Sequence, residues 1–185
     1  MPSAIFMDRD GTVSEEIGYM YHAALFRPFP WTGEAIRRIN QSGMKAILVT
    51  NQSGVGRGFF SEDTVCEVHT ALKAELARWN AYLDAIYYCP HLPEAGCECR
   101  KPNPGMLVQA EDEFGIDLKQ SYVIGDRFLD IRMAHNVGAR GVLVLTGDGR
   151  AELENHQNDA IQPDLVSATL LTAVETILGG LCRHG

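Results

Sequence analysis

The sequence predicts an α/β fold, a doubly wound parallel sheet with helices on both faces. Short apolar runs of strand length alternate along the 185 residues with longer stretches in which apolar residues have helical spacing. The apolar runs are continuous, which is typical of strands buried on both faces. Repeated βα units of this kind form a parallel sheet between two helical layers. We therefore expect a three-layer single domain over residues 1–185, with no segment long enough for a large cap domain.

Each element follows from a local pattern. Apolar runs predict strands over residues 4–7, 45–51, 85–89, 121–126 and 141–145. Helices are predicted over residues 31–41 and 167–178, and around Ile131 before Gly138. A further helix is predicted from the capping residue Ser61 along an apolar face that ends at Trp79. Another is predicted from Asn103-Pro104 to Phe114. Residues 15–30, 52–58 and 147–163 are expected to form loops.

Composition and charge restrict the function. The net charge is −8, so nucleic acid and anionic membrane surfaces are not expected as partners. No run approaches the roughly 20 apolar residues of a membrane span, and the first residues lack the basic and apolar regions of a signal peptide. We expect a cytoplasmic, monomeric protein that acts on a small molecule.

Polar residues suited to phosphoryl transfer follow three predicted strands and precede one helix. They are Asp8 and Asp10 after the first strand, Thr50 and Asn51 at the end of the second, Asp126 at the end of the fourth with Asp130 beyond it, and Arg100-Lys101-Pro102 before a helix. Ligands bind outside the carboxyl ends of the strands in open α/β sheets. Carboxylates as close as Asp8 and Asp10 repel each other unless a cation lies between them, and oxygen ligands suit Mg²⁺.

The whole chain resembles the haloacid dehalogenase-like phosphatases. The resemblance rests on Asp8-Arg9-Asp10-Gly11-Thr12, Val49-Thr50-Asn51-Gln52, Arg100-Lys101-Pro102 and Gly125-Asp126-Arg127-Phe128-Leu129-Asp130, in the family's order. It implies a Rossmann-like fold of the haloacid dehalogenase type. It also implies that Asp8 is a nucleophile that forms an aspartyl-phosphate, and that Asp10 is the acid/base.

The same resemblance implies how the phosphoryl group and the metal are held. Thr50, Asn51 and Lys101 would hold the transferring phosphoryl group. Mg²⁺ would be bound by Asp8, the main-chain carbonyl of Asp10, and Asp126, and Asp130 would orient these carboxylates. This set of residues suits phosphoryl transfer, a reaction in which positioning and charge neutralisation dominate.

A second metal site is predicted in residues 89–99. Cys89, His91, Cys97 and Cys99 place three thiols and one imidazole within eleven positions. Four such ligands around a short loop favour tetrahedral Zn²⁺ over disulfides or packed core cysteines. Four protein ligands leave no position for substrate, so we expect structural zinc that fixes the direction of Arg100 and Lys101. The remaining cysteines, Cys66 and Cys182, and the other histidines fit no ligand cluster.

The zinc loop narrows the resemblance to two families, the D-glycero-D-manno-heptose 1,7-bisphosphate 7-phosphatases and the histidinol phosphatases. Gly18-Tyr19, Asn51-Gln-Ser-Gly-Val-Gly-Arg-Gly-Phe-Phe60 and Gly105-Met106 favour the first. This family implies removal of the 7-phosphate in ADP- or GDP-heptose biosynthesis, a route to lipopolysaccharide. Its substrate contacts would fall on Glu16, Ile17, Gly18, Tyr19, Thr50, Asn51, Gln52, Ser53, Arg100, Lys101 and Arg127.

Two alternatives stay open from the sequence. A bisphosphate needs cations beyond Lys101, for which Arg57, Arg100 and Arg127 are candidates. Histidinol phosphate instead carries an ammonium and an imidazole, for which Glu15 and Glu16 are candidates. The chain could also be a non-catalytic, zinc-stabilised binding module, because a fold alone does not establish a function. The complete set of aspartates favours an enzyme.

Overall fold

A parallel sheet organises the structure. In the computed structural model, which describes residues 1–181, the strands pair in the order β3-β2-β1-β4-β5-β6. They are β1 (Ala4–Met7), β2 (Lys45–Asn51), β3 (Ala85–Cys89), β4 (Tyr122–Gly125), β5 (Arg140–Val144) and β6 (Leu165–Ser167). Every neighbouring pair is parallel. The doubly wound parallel sheet is confirmed, and Cys182 and His184 lie outside the described residues.

Helices connect the strands and cover both faces of the sheet. They are α1 (Thr32–Ser42), α2 (Ser53–Gly56), α3 (Glu62–Ala77), α4 (Gly105–Phe114), α5 (Phe128–Asn136), α6 (Gly149–Asn155) and α7 (Leu170–Leu181). Side chains alternate between the two faces of a strand. Ile5 and Met7 therefore join a core with α1, α3 and α7, whereas Ala4 and Phe6 join a second core with α4 and α5. Within residues 1–181, no helix is long and apolar enough to span a bilayer.

The strand order places a crevice beside β1. The chain leaves β1 on one side to form β2 and β3, and returns on the other side to form β4. Ligands of open α/β sheets bind at such a switch point, outside the carboxyl ends of the strands. Asp8 directly follows β1 and Asp126 directly follows β4. The topology therefore brings these two carboxylates together.

The structure corrects the predictions for residues 147–181. The expected loop over residues 147–163 contains α6, β6 was not predicted, and the last helix begins at Leu170 rather than at residue 167. The sequence of α6, Gly-Arg-Ala-Glu-Leu-Glu-Asn, carries no apolar face beyond Leu153. In β6 only Ser167 is buried. Neither element has the apolar pattern by which a helix or strand is recognised.

Three predictions elsewhere are also corrected. Asn103 does not cap α4, because its amide donates to the Cys97 carbonyl at 2.8 Å and Pro104 occupies the cap position. Trp79 lies beyond the end of α3 and is 40% exposed. A short helix, α2, forms within the loop expected over residues 52–58. The predicted cap at Ser61 is confirmed, since its Oγ accepts from the Thr64 N–H.

Helix α6 holds the start of α5. The Oε2 of Glu152 accepts a hydrogen bond from the N–H of Phe128, the first residue of α5, at 2.7 Å. The first N–H groups of a helix have no partner within the helix, and a carboxylate there also interacts favourably with the helix dipole. The Phe128 ring stacks on His156 with centroids 4.4 Å apart. These contacts fix α5, which carries Asp130 towards the crevice.

We predict that Glu152→Ala lowers the free energy of unfolding by about 1 kcal/mol, the usual cost of losing a side-chain cap. Glu154→Ala, on an exposed position of the same helix, is the matched control and should leave the free energy of unfolding within about 0.5 kcal/mol of the parent. Urea unfolding followed by circular dichroism measures both variants. Equal losses in the two variants would show that Glu152 does not cap α5.

Candidate active site

Three carboxylates converge at the switch point. The N–H of Asp8 donates to the Ile124 carbonyl of β4 at 2.9 Å, which extends the pairing of β1 with β4 by one residue. Asp126 follows β4, and Asp130 lies in the first turn of α5. Asp8, Asp126 and Asp130 each place an oxygen atom within 4.8 Å of the others. The structure thus brings together three aspartates that the sequence places in two separate motifs.

Lys101 lies between two of these carboxylates. Its Nζ is 2.9 Å from Asp8 Oδ1 and 2.7 Å from Asp130 Oδ1, and its side chain is buried. Burial alone lowers the pKa of the ammonium, but Asp130 and Asp8 outweigh that effect and raise its pKa above the usual value. Lys101 is therefore a fixed positive charge within the acidic group.

The end of β2 holds the main chain of Lys101. The Oδ1 of Asn51, the last residue of β2, accepts from the Lys101 N–H at 3.2 Å, and its Nδ2 donates to the Lys101 carbonyl at 3.5 Å. The amide of Asn51 therefore ties the segment that carries Arg100 and Lys101 to the sheet. This link explains how a side chain from a loop reaches the same point as the strand ends.

Two buried oxygen atoms of the cluster lack a partner. Asp126 Oδ1 and Asp130 Oδ2 receive no hydrogen bond from any described residue. Burial, followed by the charge of Asp8, raises the pKa of Asp126 to about 8. Burial also raises the pKa of Asp130 to about 6, although Lys101 acts against it. Buried carboxylates with free lone pairs and unfavourable ionisation are the donor set that a hard dication relieves, so these residues fit Mg²⁺.

Two glycine loops close around Asp126. Gly11 and Gly147 have φ of +80° and +53°, and a Cβ on either would lie 2.0 or 2.2 Å from Asp126 Oδ2. Both positions therefore require glycine, for its conformation and for the space. The Thr146 hydroxyl joins the two loops by donating to the Gly11 carbonyl at 2.6 Å. The Asp148 N–H donates to Asp126 Oδ2 at 2.9 Å and holds the carboxylate in place.

Asp10 is held by nitrogen donors. Its Oδ1 accepts from Arg9 Nε at 3.0 Å, and its Oδ2 accepts from an Arg9 terminal nitrogen at 2.8 Å and from Gln52 Nε2 at 3.0 Å. Gln52 Nε2 also donates to Thr50 Oγ1 at 2.9 Å. Gln52 therefore links Asp10 Oδ2 to Thr50, a residue predicted to hold the phosphoryl group.

A cavity of about 260 Å³ opens above the carboxylates. Its lining comprises Asp8, Asp10, Glu16, Gly18, Tyr19, Thr50, Asn51, Gln52, Ser53, Gly54, Phe60, Arg100, Lys101, Arg127, Leu129 and Asp130. Most of the residues singled out from the sequence for substrate binding therefore lie around one space. Asp126 is fully buried next to Asp8 and Asp130 and does not line it.

The lining differs from the sequence prediction at five positions. Ile17 and Arg57, both exposed, do not line the cavity. Gly54, Phe60 and Leu129 line it and were given no role. Phe60 and Leu129 lie within the sequence motifs. Because apolar side chains occur both in cavity walls and in the core, the sequence alone does not show that these two line the cavity.

Two loops meet at the mouth of the cavity through aromatic side chains. Tyr19, from residues 15–30, packs edge-on against Phe59 with ring centroids 4.8 Å apart. Tyr21 lies 6.3 Å from Phe60, with the two rings nearly perpendicular. Edge-to-face pairs at these distances are favourable contacts. They join the loop over residues 15–30 to the segment that follows α2.

The cations at the rim differ in their partners. Arg127 lies 2.5 Å from Asp148 Oδ2 and 3.7 Å from Glu16 Oε2. Burial, reinforced by Asp10 but opposed by the hydrogen bond from Gly18, raises the pKa of Glu16. Arg100 forms no ion pair with any described carboxylate and donates only a 3.4 Å hydrogen bond to the His91 carbonyl. Arg100 is therefore the cation of the lining whose charge is not already neutralised.

The four predicted zinc ligands form one cluster. Cys89 Sγ lies 3.5 Å from His91 Nδ1 and 3.6 Å from Cys97 Sγ, while Cys99 Sγ lies 3.3 Å from His91 Nδ1 and 3.5 Å from Cys97 Sγ. Zinc–sulfur bonds of about 2.3 Å separate the sulfur atoms of a tetrahedral site by about 3.8 Å. Burial and the neighbouring thiols raise the pKa of Cys99 to about 12 without a metal, so Zn²⁺ would have to displace the thiol proton. The donors and their spacing thus fit Zn²⁺.

Comparisons with known proteins agree with this geometry. The HAD-hydrolase-like family model matches residues 98–173. The chain is 40% identical to D-glycero-D-manno-heptose-1,7-bisphosphate 7-phosphatase of Thermosynechococcus vestitus, over 98% of this chain and 96% of that protein. It is 42% identical to D-glycero-beta-D-manno-heptose-1,7-bisphosphate 7-phosphatase of Yersinia pestis, over 78% and 81% of the two chains.

A solved structure is similar over nearly the whole chain. The D,D-heptose 1,7-bisphosphate phosphatase of B. bronchiseptica, complexed with magnesium and phosphate, superposes with a TM-score of 0.90 at 33% identity. The match covers 96% of this chain and 99% of that one. The identity and the coverage of these relatives, together with the assembled motifs, show that this chain belongs to the haloacid dehalogenase-like family of D-glycero-D-manno-heptose-1,7-bisphosphate 7-phosphatases.

Proposed function

We propose that this chain removes the 7-phosphate of D-glycero-D-manno-heptose 1,7-bisphosphate in a magnesium-dependent reaction through an aspartyl-phosphate. The observation that carries the proposal is the contact of Asp8 with Lys101 on the floor of the cavity, next to the unpartnered oxygens of Asp126 and Asp130. Family membership supports the same reaction. Cytoplasmic location, a monomeric state, and a single domain over residues 1–185 stay predictions.

The residues of the cluster divide the reaction into two steps. A carboxylate oxygen of Asp8 attacks phosphorus, the bond from phosphorus to the ester oxygen breaks, and Asp10 gives its proton to the departing alkoxide. Asp10 then accepts a proton from water, which attacks the phosphorus of the aspartyl-phosphate and releases phosphate and the free Asp8 carboxylate. Dividing one difficult displacement into two is the advantage of a carboxylate nucleophile.

Positive charge and hydrogen-bond donors hold the phosphoryl group. Lys101 would neutralise one phosphoryl oxygen, and Thr50 and Asn51 would bind others. Because Thr50 Oγ1 already accepts from Gln52, its hydroxyl hydrogen is free to donate to the phosphoryl group. Asp8, Asp126 and the main-chain carbonyl of Asp10 would bind Mg²⁺, with Asp130 alongside. Bound there, Mg²⁺ would neutralise phosphate charge that otherwise repels Asp8.

The rim of the cavity supports the bisphosphate over histidinol phosphate. The second phosphate needs a cation other than Lys101, and Arg100 lines the cavity without a carboxylate partner. Arg127 is a weaker candidate because Asp148 and Glu16 already pair with it. Glu16 keeps histidinol phosphate as the second candidate, since this carboxylate also lines the cavity and could bind an ammonium group.

The decisive experiment for the substrate compares kcat/KM for heptose bisphosphate and histidinol phosphate in the presence of Mg²⁺. We expect a higher value for the bisphosphate, and Asp8→Asn should lower phosphate release by at least about 1,000-fold because the nucleophile is lost. Thermal unfolding of Asp8→Asn controls for folding. A higher kcat/KM for histidinol phosphate would reverse the substrate assignment. An inactive parent, indistinguishable from Asp8→Asn, would favour a non-catalytic binding module.

Magnesium binding should depend on pH through Asp126. In the absence of a cation its pKa is about 8, so Mg²⁺ must displace a proton at lower pH. We predict that the apparent Mg²⁺ affinity rises roughly tenfold per pH unit from about pH 6 to 8. Calorimetry in two buffers of different ionisation enthalpy measures the affinity and the released proton. Mg²⁺ binding that is independent of pH, without proton release, would contradict this assignment.

Asp126 also makes the free energy of unfolding of the metal-free chain depend on pH. Its raised pKa means that the folded, metal-free chain binds more protons than the unfolded chain between about pH 4 and 8. Asp126 therefore lowers the free energy of unfolding as the pH rises through that range, and saturating Mg²⁺ should remove this loss.

We propose that the cluster of Cys89, His91, Cys97 and Cys99 binds structural Zn²⁺ and thereby positions Lys101, two residues beyond Cys99. Cys97→Ser should lose bound zinc and lower kcat/KM by roughly 100-fold, because a displacement of about 1 Å at a reacting group can cost that much. Cys66→Ser, at an exposed thiol outside the cluster, is the control. Mass spectrometry of the native protein measures the metal. Full activity of a zinc-free chain would contradict the coupling.

A further inference from the structure

A buried arginine lies against the proposed acid/base. Arg9 is 2% exposed and is among the largest fully buried side chains of the described residues. Its guanidinium forms two parallel hydrogen bonds to Asp10, at 3.0 Å from Nε to Oδ1 and at 2.8 Å from a terminal nitrogen to Oδ2. The planar fork of arginine matches a carboxylate in this way, and a lysine cannot reproduce it.

Asp10 balances the positive charge of Arg9. Asp10 is the one carboxylate that pairs with Arg9 among residues 1–181. His69 lies close enough for the charge of Arg9 to act on it, but burial first, and then Arg9 and Lys73, lower the pKa of His69 to about 3. His69 is therefore neutral and does not compete with Arg9 for Asp10. A buried guanidinium is strongly disfavoured without such a partner, so Arg9 and Asp10 hold each other.

The hydrogen bonds also distinguish the two oxygens of Asp10. Oδ2 accepts from Arg9 and from Gln52, whereas Oδ1 accepts only from Arg9. A carboxylate oxygen has two lone pairs in the carboxyl plane. Both lone pairs of Oδ2 are therefore used, and one lone pair of Oδ1 is free. This free position can carry the proton that moves between Asp10 and the reacting oxygen.

We propose that Arg9 is a positioning residue, which fixes Asp10 so that Oδ1 exchanges the proton with the leaving alkoxide and then with water. The inference rests on the proposed function. Arg9 touches neither the substrate nor Mg²⁺ in this role, and it acts only through Asp10. Proton transfer by a positioned side chain contributes typically about 100-fold to 10,000-fold, and its contribution is largest when the leaving group is poor.

The dependence on the leaving group provides the test. A sugar phosphate releases a basic alkoxide that needs a proton, whereas p-nitrophenyl phosphate releases an anion that leaves without one. Arg9→Lys and Arg9→Met should lower kcat/KM for the sugar phosphate roughly 100-fold, and for p-nitrophenyl phosphate less than about tenfold. Arg132→Lys, which changes a half-exposed ion pair with Asp159, is the control and should change neither value.

A double-mutant cycle separates action through Asp10 from any other effect. In an Asp10→Asn background, Arg9→Lys should change kcat/KM for the sugar phosphate less than about threefold, because the group that it positions is already lost. Equal losses on the two esters, or full additivity in the cycle, would overturn the proposal. Failure of both Arg9 variants to unfold cooperatively would overturn it as well, since Arg9 would then serve the fold. A parent without magnesium-dependent phosphate release from either ester would instead overturn the proposed function.

Discussion

The contact of Lys101 with Asp8 and Asp130 is the interaction on which the rest of the site depends. It joins the end of β1, the segment after the cysteine cluster, and α5. When Asp8, Asp126 and Asp130 are all ionised, these carboxylates and the Lys101 ammonium together carry two negative charges in a space where charges are poorly solvated. A dication matches that charge, so one arrangement explains both the metal requirement and the attraction of a phosphate ester.

The fold and the centre of the site could be predicted because their signals are local. Continuous apolar runs identify β1, β2 and β4, and parallel strands necessarily bring their carboxyl ends to one edge. Elements that are held by tertiary contacts could not be predicted. Helix α6 lacks an apolar face, and it is held in part by the bond from Glu152 to Phe128. Likewise, nothing in its sequence neighbours indicates that Asn103 bonds to Cys97 rather than capping α4.

Some residues of the site can be located from the sequence and others cannot. Asp8, Asp10 and Asp126 belong to motifs that follow predicted strands, so the sequence predicts that they lie at the carboxyl edge of the sheet. The burial of Arg9 was not evident from the sequence, because the alternation of residues after β1 does not show which side chain turns inward. The partners of Arg127 were also hidden, since Asp148 is distant in sequence and reaches it only through the loop that closes around Asp126. The proposed contacts with the substrate therefore depend on interactions that only the folded chain reveals.

In the proposed reaction, Asp8 receives the phosphoryl group, with a dication beside it. Fluoroberyllate, which mimics a phosphoryl group on a carboxylate, tests this most directly by fluorine NMR of the intact chain. We expect bound fluorine resonances that require Mg²⁺ and disappear in Asp8→Asn. Resonances that persist in Asp8→Asn, or that form equally well in EDTA, would show that Asp8 does not receive the phosphoryl group beside a dication.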